Sequence, residues 1–231
     1  MYDLASAVTD ISTKRFFKRH SVLLYQGEIP RMAYVVKDGL VKMYTINDAG
    51  EEQIVSFHGP NDHFPSTWIF DRSRTTLYYY ETITDCEILT ITKDALQEVM
   101  FKPELLEGTL NYYISNYASM LMRVTAMGQA RAREKVMFTL YYLLFRYGVK
   151  QSADLYLINL PLTHQVLANL VGLTRETISN EISKLKRSKV ISYKGRYYMI
   201  DKRKLERYIG EDSFLSLGID QPTDAPTHSL G

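Results

Sequence analysis

Apolar and polar positions follow three successive patterns along the chain. From Ser21 to about Thr92, short apolar-rich segments at 22–26, 32–37, 40–46, 53–57, 77–82 and 88–91 stand between turn formers. Gly27, the pair Asp38 and Gly39, and the runs 47–50 and 59–62 supply those turns. Short strands punctuated this way predict an antiparallel barrel or jelly roll.

After Pro103 the period lengthens. Leu106, Leu110, Tyr113, Tyr117, Met120, Val124 and Met127 recur at spacings of four and three, a heptad seam that predicts one long helix over 104–129. Tyr112, Ile114 and Leu121 lie off the seam and leave a second apolar face to pack on the barrel. The seam suits a parallel dimer; the alternative is a buried helix within one monomer. A further helix is expected over 131–147, carrying Val136, Phe138, Leu140, Leu143 and Leu144.

The third pattern is LTHQVLANLVGLTRETISNEISKLK, residues 162–186. Thr163 is an N-cap candidate after Pro161, and Val166, Leu167, Leu170 and Val171 form one apolar stripe. Gly172 stands where the chain must turn, and Thr174 is the next N-cap candidate. In the second helix Ile178, Ile182 and Leu185 share a face at i, i+4 and i+7, leaving Arg175, Glu176, Ser179, Asn180 and Ser183 opposite. Arginine can fork onto guanine, glutamate can accept from cytosine N4 and asparagine can pair with adenine. The pattern is that of a helix-turn-helix entering a major groove, the alternative being a helical hairpin with a solvated polar face. Lys184, Lys186, Arg187 and Lys189 follow, suited to phosphates. Residues 190–200 read as a hairpin with Lys194 and Gly195 at its tip, a wing from which Lys194 and Arg196 would meet phosphates.

Charge favours the DNA reading. The net formal charge of +2 conceals −3 over residues 1–103, −1 over 104–130, +10 over 131–210 and −4 over 211–231. One strongly basic segment on a near-neutral body is the footprint of a nucleic-acid-binding domain, and a two-fold seam would set two recognition helices about one DNA turn apart.

The expected architecture is therefore α+β: a β-roll sensor domain at 1–103, a dimerisation helix at 104–130, a winged helix-turn-helix at 131–210 and a disordered tail at 211–231. The 231 residues, 45% hydrophobic and 12% aromatic, support real cores. No run approaches the roughly 18 consecutive apolar residues of a membrane helix, and MYDLASAVTD lacks signal-peptide character, so a cytoplasmic location is expected. The single cysteine, Cys86, reads as a small buried hydrophobe, and no metal site or cofactor is expected. Glycine-rich phosphate loops, HExxH and G-x-S-x-G are absent from the sequence, and Glu51 with Glu52 falls in a turn, so the chain does not read as an enzyme.

With these parts in this order, the chain resembles the Crp/Fnr superfamily of bacterial transcription regulators, named for the cyclic-AMP receptor protein and the fumarate and nitrate reductase regulator. The resemblance spans about 20–205 and rests on Gly27 with Glu28, VVKDGLVKMY, DAGEEQIV and above all GLTRETIS at 172–179. It implies a homodimer on a pseudo-palindromic operator, contact with RNA polymerase and a signal sensed in the β-roll. Arg175 and Glu176 match the base-reading pair of the cyclic-AMP receptor protein, and Glu176 with Ser179 matches the E-x-x-S of the Fnr branch. Asn180 departs from both branches, which have arginine there. Thr163 matches a phosphate contact.

The sensor half departs further. Cyclic-nucleotide binders of the family carry Gly-Glu, then Arg with Ser or Thr. Here the region reads HFPSTWIFDRSRTTLYYYE, with Phe64 and residues 65–67 near the expected Gly-Glu, and Arg72 or Arg74 reachable only by a register shift. A cyclic phosphate without its arginine would stay largely unpaired, so cyclic AMP is not the expected signal. An Fnr-type cluster needs four thiolates, and haem ligation by His20, His58 or His63 is disfavoured. Trp68, Tyr78, Tyr80, Tyr113 and Tyr117 either line an apolar pocket for a small organic effector of unknown identity or fill that space themselves. The competing function is a sensor module acting through a protein partner, with only loose nucleic-acid binding.

Overall fold

The computed structural model describes residues 3–195 and 197–209. Arg196 and the expected disordered tail at 211–231 lie outside the described residues. The chain forms two compact units, the first ending at Tyr113 and the second beginning at Ile114.

The first unit runs α1 (Leu4–Val8), β1 (Thr13–Phe17), β2 (Val22–Leu24), β3 (Ala33–Asp38), β4 (Val41–Ile46), β5 (Glu52–His58), β6 (His63–Phe64), α2 (Ser66–Ile69), β7 (Tyr79–Thr82), β8 (Cys86–Ile91) and α3 (Lys93–Met100). It ends in the first part of α4 (Pro103–Met127). Its strands form two antiparallel sheets ordered β1-β8-β3-β6 and β2-β7-β4-β5. One core joins them face to face: Leu24, Val41, Met43 and Tyr80 from one sheet meet Val36, Phe64, Cys86 and Ile88 from the other. Neighbouring residues alternate sides, so Ala33, Val35, Leu89 and Ile91 face away and are covered by Leu4 and Val8 of α1 and by Leu96, Val99 and Met100 of α3. Burial on both faces explains why β3 and β8 read as unbroken apolar pairs. This is the jelly-roll-like unit expected, with Cys86 buried inside it.

Gly39 closes the turn between β3 and β4 at a φ of 92°, and a Cβ there would sit 2.5 Å from the Asp85 carbonyl oxygen and 2.6 Å from Cys86 Sγ. Only glycine fits both the backbone and the space.

Strand β1 lies before the first strand that the alternation predicts, at 22–26. Its sequence TKRFF is mostly exposed, because β1 is an edge strand held by backbone pairing to β8 and its side chains carry no period-two signal. The sequence pattern likewise gives no sign of the two-residue β6 or of the helices α1 and α3.

The second unit contains the rest of α4, then α5 (Ala132–Tyr147), β9 (Gly148–Lys150), β10 (Leu155–Ile158), α6 (His164–Val171), α7 (Arg175–Arg187), β11 (Ile191–Lys194), β12 (Tyr197–Asp201) and α8 (Lys202–Ile209). The expected hairpin forms as β11 and β12, but within a four-stranded antiparallel sheet ordered β11-β12-β10-β9. Leu140, Leu144, Leu167, Leu170, Ile178, Ile182, Leu185, Ile200 and Leu205 are all fully or nearly fully buried. No helix among the described residues is long and apolar enough to cross a membrane.

Candidate nucleic-acid interface

The two helices of the turn are set by local bonds. The Thr163 hydroxyl oxygen accepts from the Val166 N–H at 3.1 Å and opens α6, leaving its O–H free to donate outward. Gly172 ends α6 at a φ of 74°, its N–H donating to the Ala168 carbonyl at 2.8 Å. Two residues later the Thr174 hydroxyl accepts from the Thr177 N–H at 3.2 Å and opens α7. The caps lie where the sequence places them because each bond spans only three or four residues.

Helix α7 divides into two faces. Ile178, Ile182 and Leu185 are buried, while Arg175, Glu176 and Asn180 are exposed and Ser179 is half-buried. The exposed groups sit in the first two turns, the end that a recognition helix presents to base edges. Ser183 is exposed too, but its hydroxyl donates back to the Ser179 carbonyl at 2.7 Å. Lys194 stands exposed at the tip of β11, beside Gly195. Lys186, Lys189 and Lys204 edge a shallow groove with Ser192, Tyr193 and Asp201, and Lys204 Nζ pairs with Asp201 at 2.8 Å.

Two charged residues of this unit escaped the sequence reading. Glu181 is only 7% exposed, with one carboxylate oxygen held by Lys184 Nζ at 2.6 Å. Its position, three after Ile178 and four before Leu185, places it on the core side of the helix. Arg123 of α4 is also 7% exposed, and its Nη2 donates to the Leu170 carbonyl at 2.8 Å. The available signal was its isolation: it is the only charged residue between Glu107 and Arg131.

On α4, Leu106, Leu110, Tyr117, Met120, Val124 and Met127 are exposed, Tyr117 by 67% and Val124 by 62%. Tyr113 is half-buried. Ile114 and Leu121, expected on a second packing face, are exposed as well. At about 100° per residue the exposed apolar arc spans roughly 140°, wider than the seam itself. The buried side is instead formed by Thr109, Ser119, Met122, Arg123 and Ala126.

Of the five aromatic residues named for an effector, the four in the first unit divide between its two cores. Trp68 and Tyr113 pack against the core beneath α1 and α3, whereas Tyr78 and Tyr80 pack between the two sheets. Tyr117 belongs to the second unit. Between the sheets, Phe64 stacks on Tyr34 at 5.2 Å and on Tyr80 at 4.6 Å. His63, pointing the other way on β6, is fully buried, hydrogen-bonded through Nε2 to the Tyr113 hydroxyl and flanked by Tyr112 at 4.8 Å. Burial pushes its pKa down to about 4, Asp62 opposing the shift in part. Among the described residues no cluster of His, Cys, Asp and Glu could hold a metal ion.

A double-layered roll, a long helix and a helix-turn-helix with a basic wing define a DNA-binding transcription regulator of the Crp/Fnr type. The chain belongs to that superfamily. It matches the cyclic nucleotide-binding domain family over residues 14–102 and the Crp-like helix-turn-helix domain family over 134–208. It is 30% identical over 193 residues to the anaerobic regulatory protein of Haemophilus influenzae, covering 83% of this chain and 74% of that one. It is 28% identical over 196 residues to the HTH-type transcriptional regulator ArcR of Staphylococcus haemolyticus, covering 81% and 82%. In fold it is similar to a CooA mutant from Carboxydothermus hydrogenoformans, with a TM-score of 0.72 at 15% identity over 90% of this chain and 96% of that one. FixK2 from Bradyrhizobium japonicum gives 0.68 at 20% identity over 84% and 96%.

Proposed function

We propose that the protein acts as a homodimer, joined along the exposed apolar arc of α4, that reads a pseudo-palindromic operator with one α7 per half-site. The observation that carries this reading is the division of α7 into a buried aliphatic face and an exposed face of Arg175, Glu176 and Asn180 in its first turns. Arg175, Glu176, Ser179 and Asn180 read bases, with Asn180 preferring adenine where the family's arginine would read guanine. Thr163, Lys194 and Arg196 hold phosphates. The regulator works from the cytoplasm without catalysing a reaction, contacts RNA polymerase, and responds to a signal sensed in the β-roll.

That signal is neither cyclic AMP nor an iron–sulfur cluster. Arg72 and Arg74 are exposed, and Phe64, near the position of the family's nucleotide-binding Gly-Glu, has its ring stacked between Tyr34 and Tyr80. The sole cysteine is buried with its thiol pKa pushed up by desolvation, the reverse of what a thiolate ligand needs.

The test is selection of binding sites from a randomised duplex library by the purified chain, with affinities measured across a salt series. A recovered palindrome with half-sites about one helical turn apart, preferred by on the order of 10³ over random DNA, supports the reading. Weak, unselective binding that carries only the salt-dependent phosphate contribution would overturn it in favour of a sensor working through a protein partner.

A further inference from the structure

Arg123 sits directly before the exposed Val124 on α4, yet its side chain is buried. Its guanidinium reaches two other helices of the same unit. Nη2 donates to the Leu170 carbonyl at 2.8 Å, and Cζ lies 6.0 Å from the centre of the Tyr142 ring on α5. Leu170 is the next-to-last residue of α6, where carbonyls lack in-helix partners and the helix end carries partial negative charge. Two residues on, Gly172 turns the chain into α7. One cation thus joins the helix bearing the apolar arc to the helix that aims the recognition helix.

Burying a guanidinium is costly, and the burial depresses its pKa. An apolar side chain of similar volume would fill the site without that cost, so stability alone does not account for an arginine here. What an arginine adds is direction: a planar fork fixed against a carbonyl and a ring.

We propose that Arg123 is a positioning residue that fixes the angle between α4 and the helix-turn-helix, and thereby the half-site spacing that the dimer accepts. The proposal rests on the dimer–operator reading above. A rigid attachment penalises any other spacing, since one base pair both shifts a half-site by about 3.4 Å and rotates it around the duplex.

The experiment uses full-length wild type, R123M and R123K on the selected operator and on versions with one base pair added or removed between unchanged half-sites. Wild type should prefer the selected spacing by on the order of 10². R123M should lose about tenfold of that preference while remaining dimeric in sedimentation and keeping its discrimination at the Glu176 base pair. R123K, which keeps a donor but not the planar fork, should fall between. A loss of spacing and base discrimination in equal proportion, or unchanged spacing preference in R123M, would overturn the proposal. Should R123M fail to fold, R123K decides: intermediate preference supports the role, and wild-type preference overturns it. If wild type selects no palindrome, the dimer–operator reading fails first, and the proposal with it.

Discussion

His63 Nε2 is hydrogen-bonded to the hydroxyl of Tyr113, fifty residues further along the chain, inside the first compact unit. The bond fastens the short strand β6 to α4, and burial away from water favours the neutral ring over the charged one. Because the folded pKa, about 4, lies below the unfolded value near 6.5, the stability gained by burying a neutral ring is fully present above pH 6.5 and is lost as pH falls towards 4. Stability should therefore decline by up to about 3 kcal/mol across that window. Urea midpoints between pH 7.5 and 4.5 would show it, and His63→Gln should flatten the profile. A wild-type profile that stays level to pH 5 would mean that the ring is not buried neutral.

Glu176 is exposed in the first turn of α7. Its replacement by alanine should relax selectivity at one base pair of each half-site and cost about 1–3 kcal/mol on the operator. Competition with single-base variants measures this, and unchanged selectivity would remove Glu176 from the reading set.

Lys194 is exposed at the end of β11, and the proposed reading gives it a backbone phosphate rather than a base. Lys194→Ala should weaken binding to all sequences alike and make the slope of log affinity against log salt shallower by about one unit. A loss that depends on sequence would contradict the assignment.

Tyr117 and Val124 lie one heptad apart on the exposed arc of α4. Aspartate at both places would set like charges against each other across the two-fold axis of the proposed dimer. The double variant should sediment as a monomer; a dimer would place the interface elsewhere.

Which parts of this molecule were legible beforehand follows from the range of the forces involved. The caps Thr163 and Thr174 and the turn at Gly172 depend on bonds between residues three or four apart, so residue type and spacing suffice to place them. The faces of α7 follow from 3.6-residue periodicity, and the antiparallel β-roll class from turns and alternation, though not the order of its strands. Tertiary structure decided the rest, because the partners are distant in sequence. The mostly exposed strand β1 exists through pairing with β8, more than sixty residues away. Ile114 and Leu121 were assigned to a packing face by hydrophobicity alone, yet only the neighbours of a helix determine which of its apolar arcs is covered. Of the five aromatic residues grouped by composition, Trp68 and Tyr113 on helices pack against one core, Tyr78 and Tyr80 pack in the other, and Tyr117 is exposed, a division set by which elements fold together. The sequence could mark Arg123 as a lone charge on an apolar helix. Its meaning depends on a carbonyl forty-seven residues away, which only folding brings within 2.8 Å.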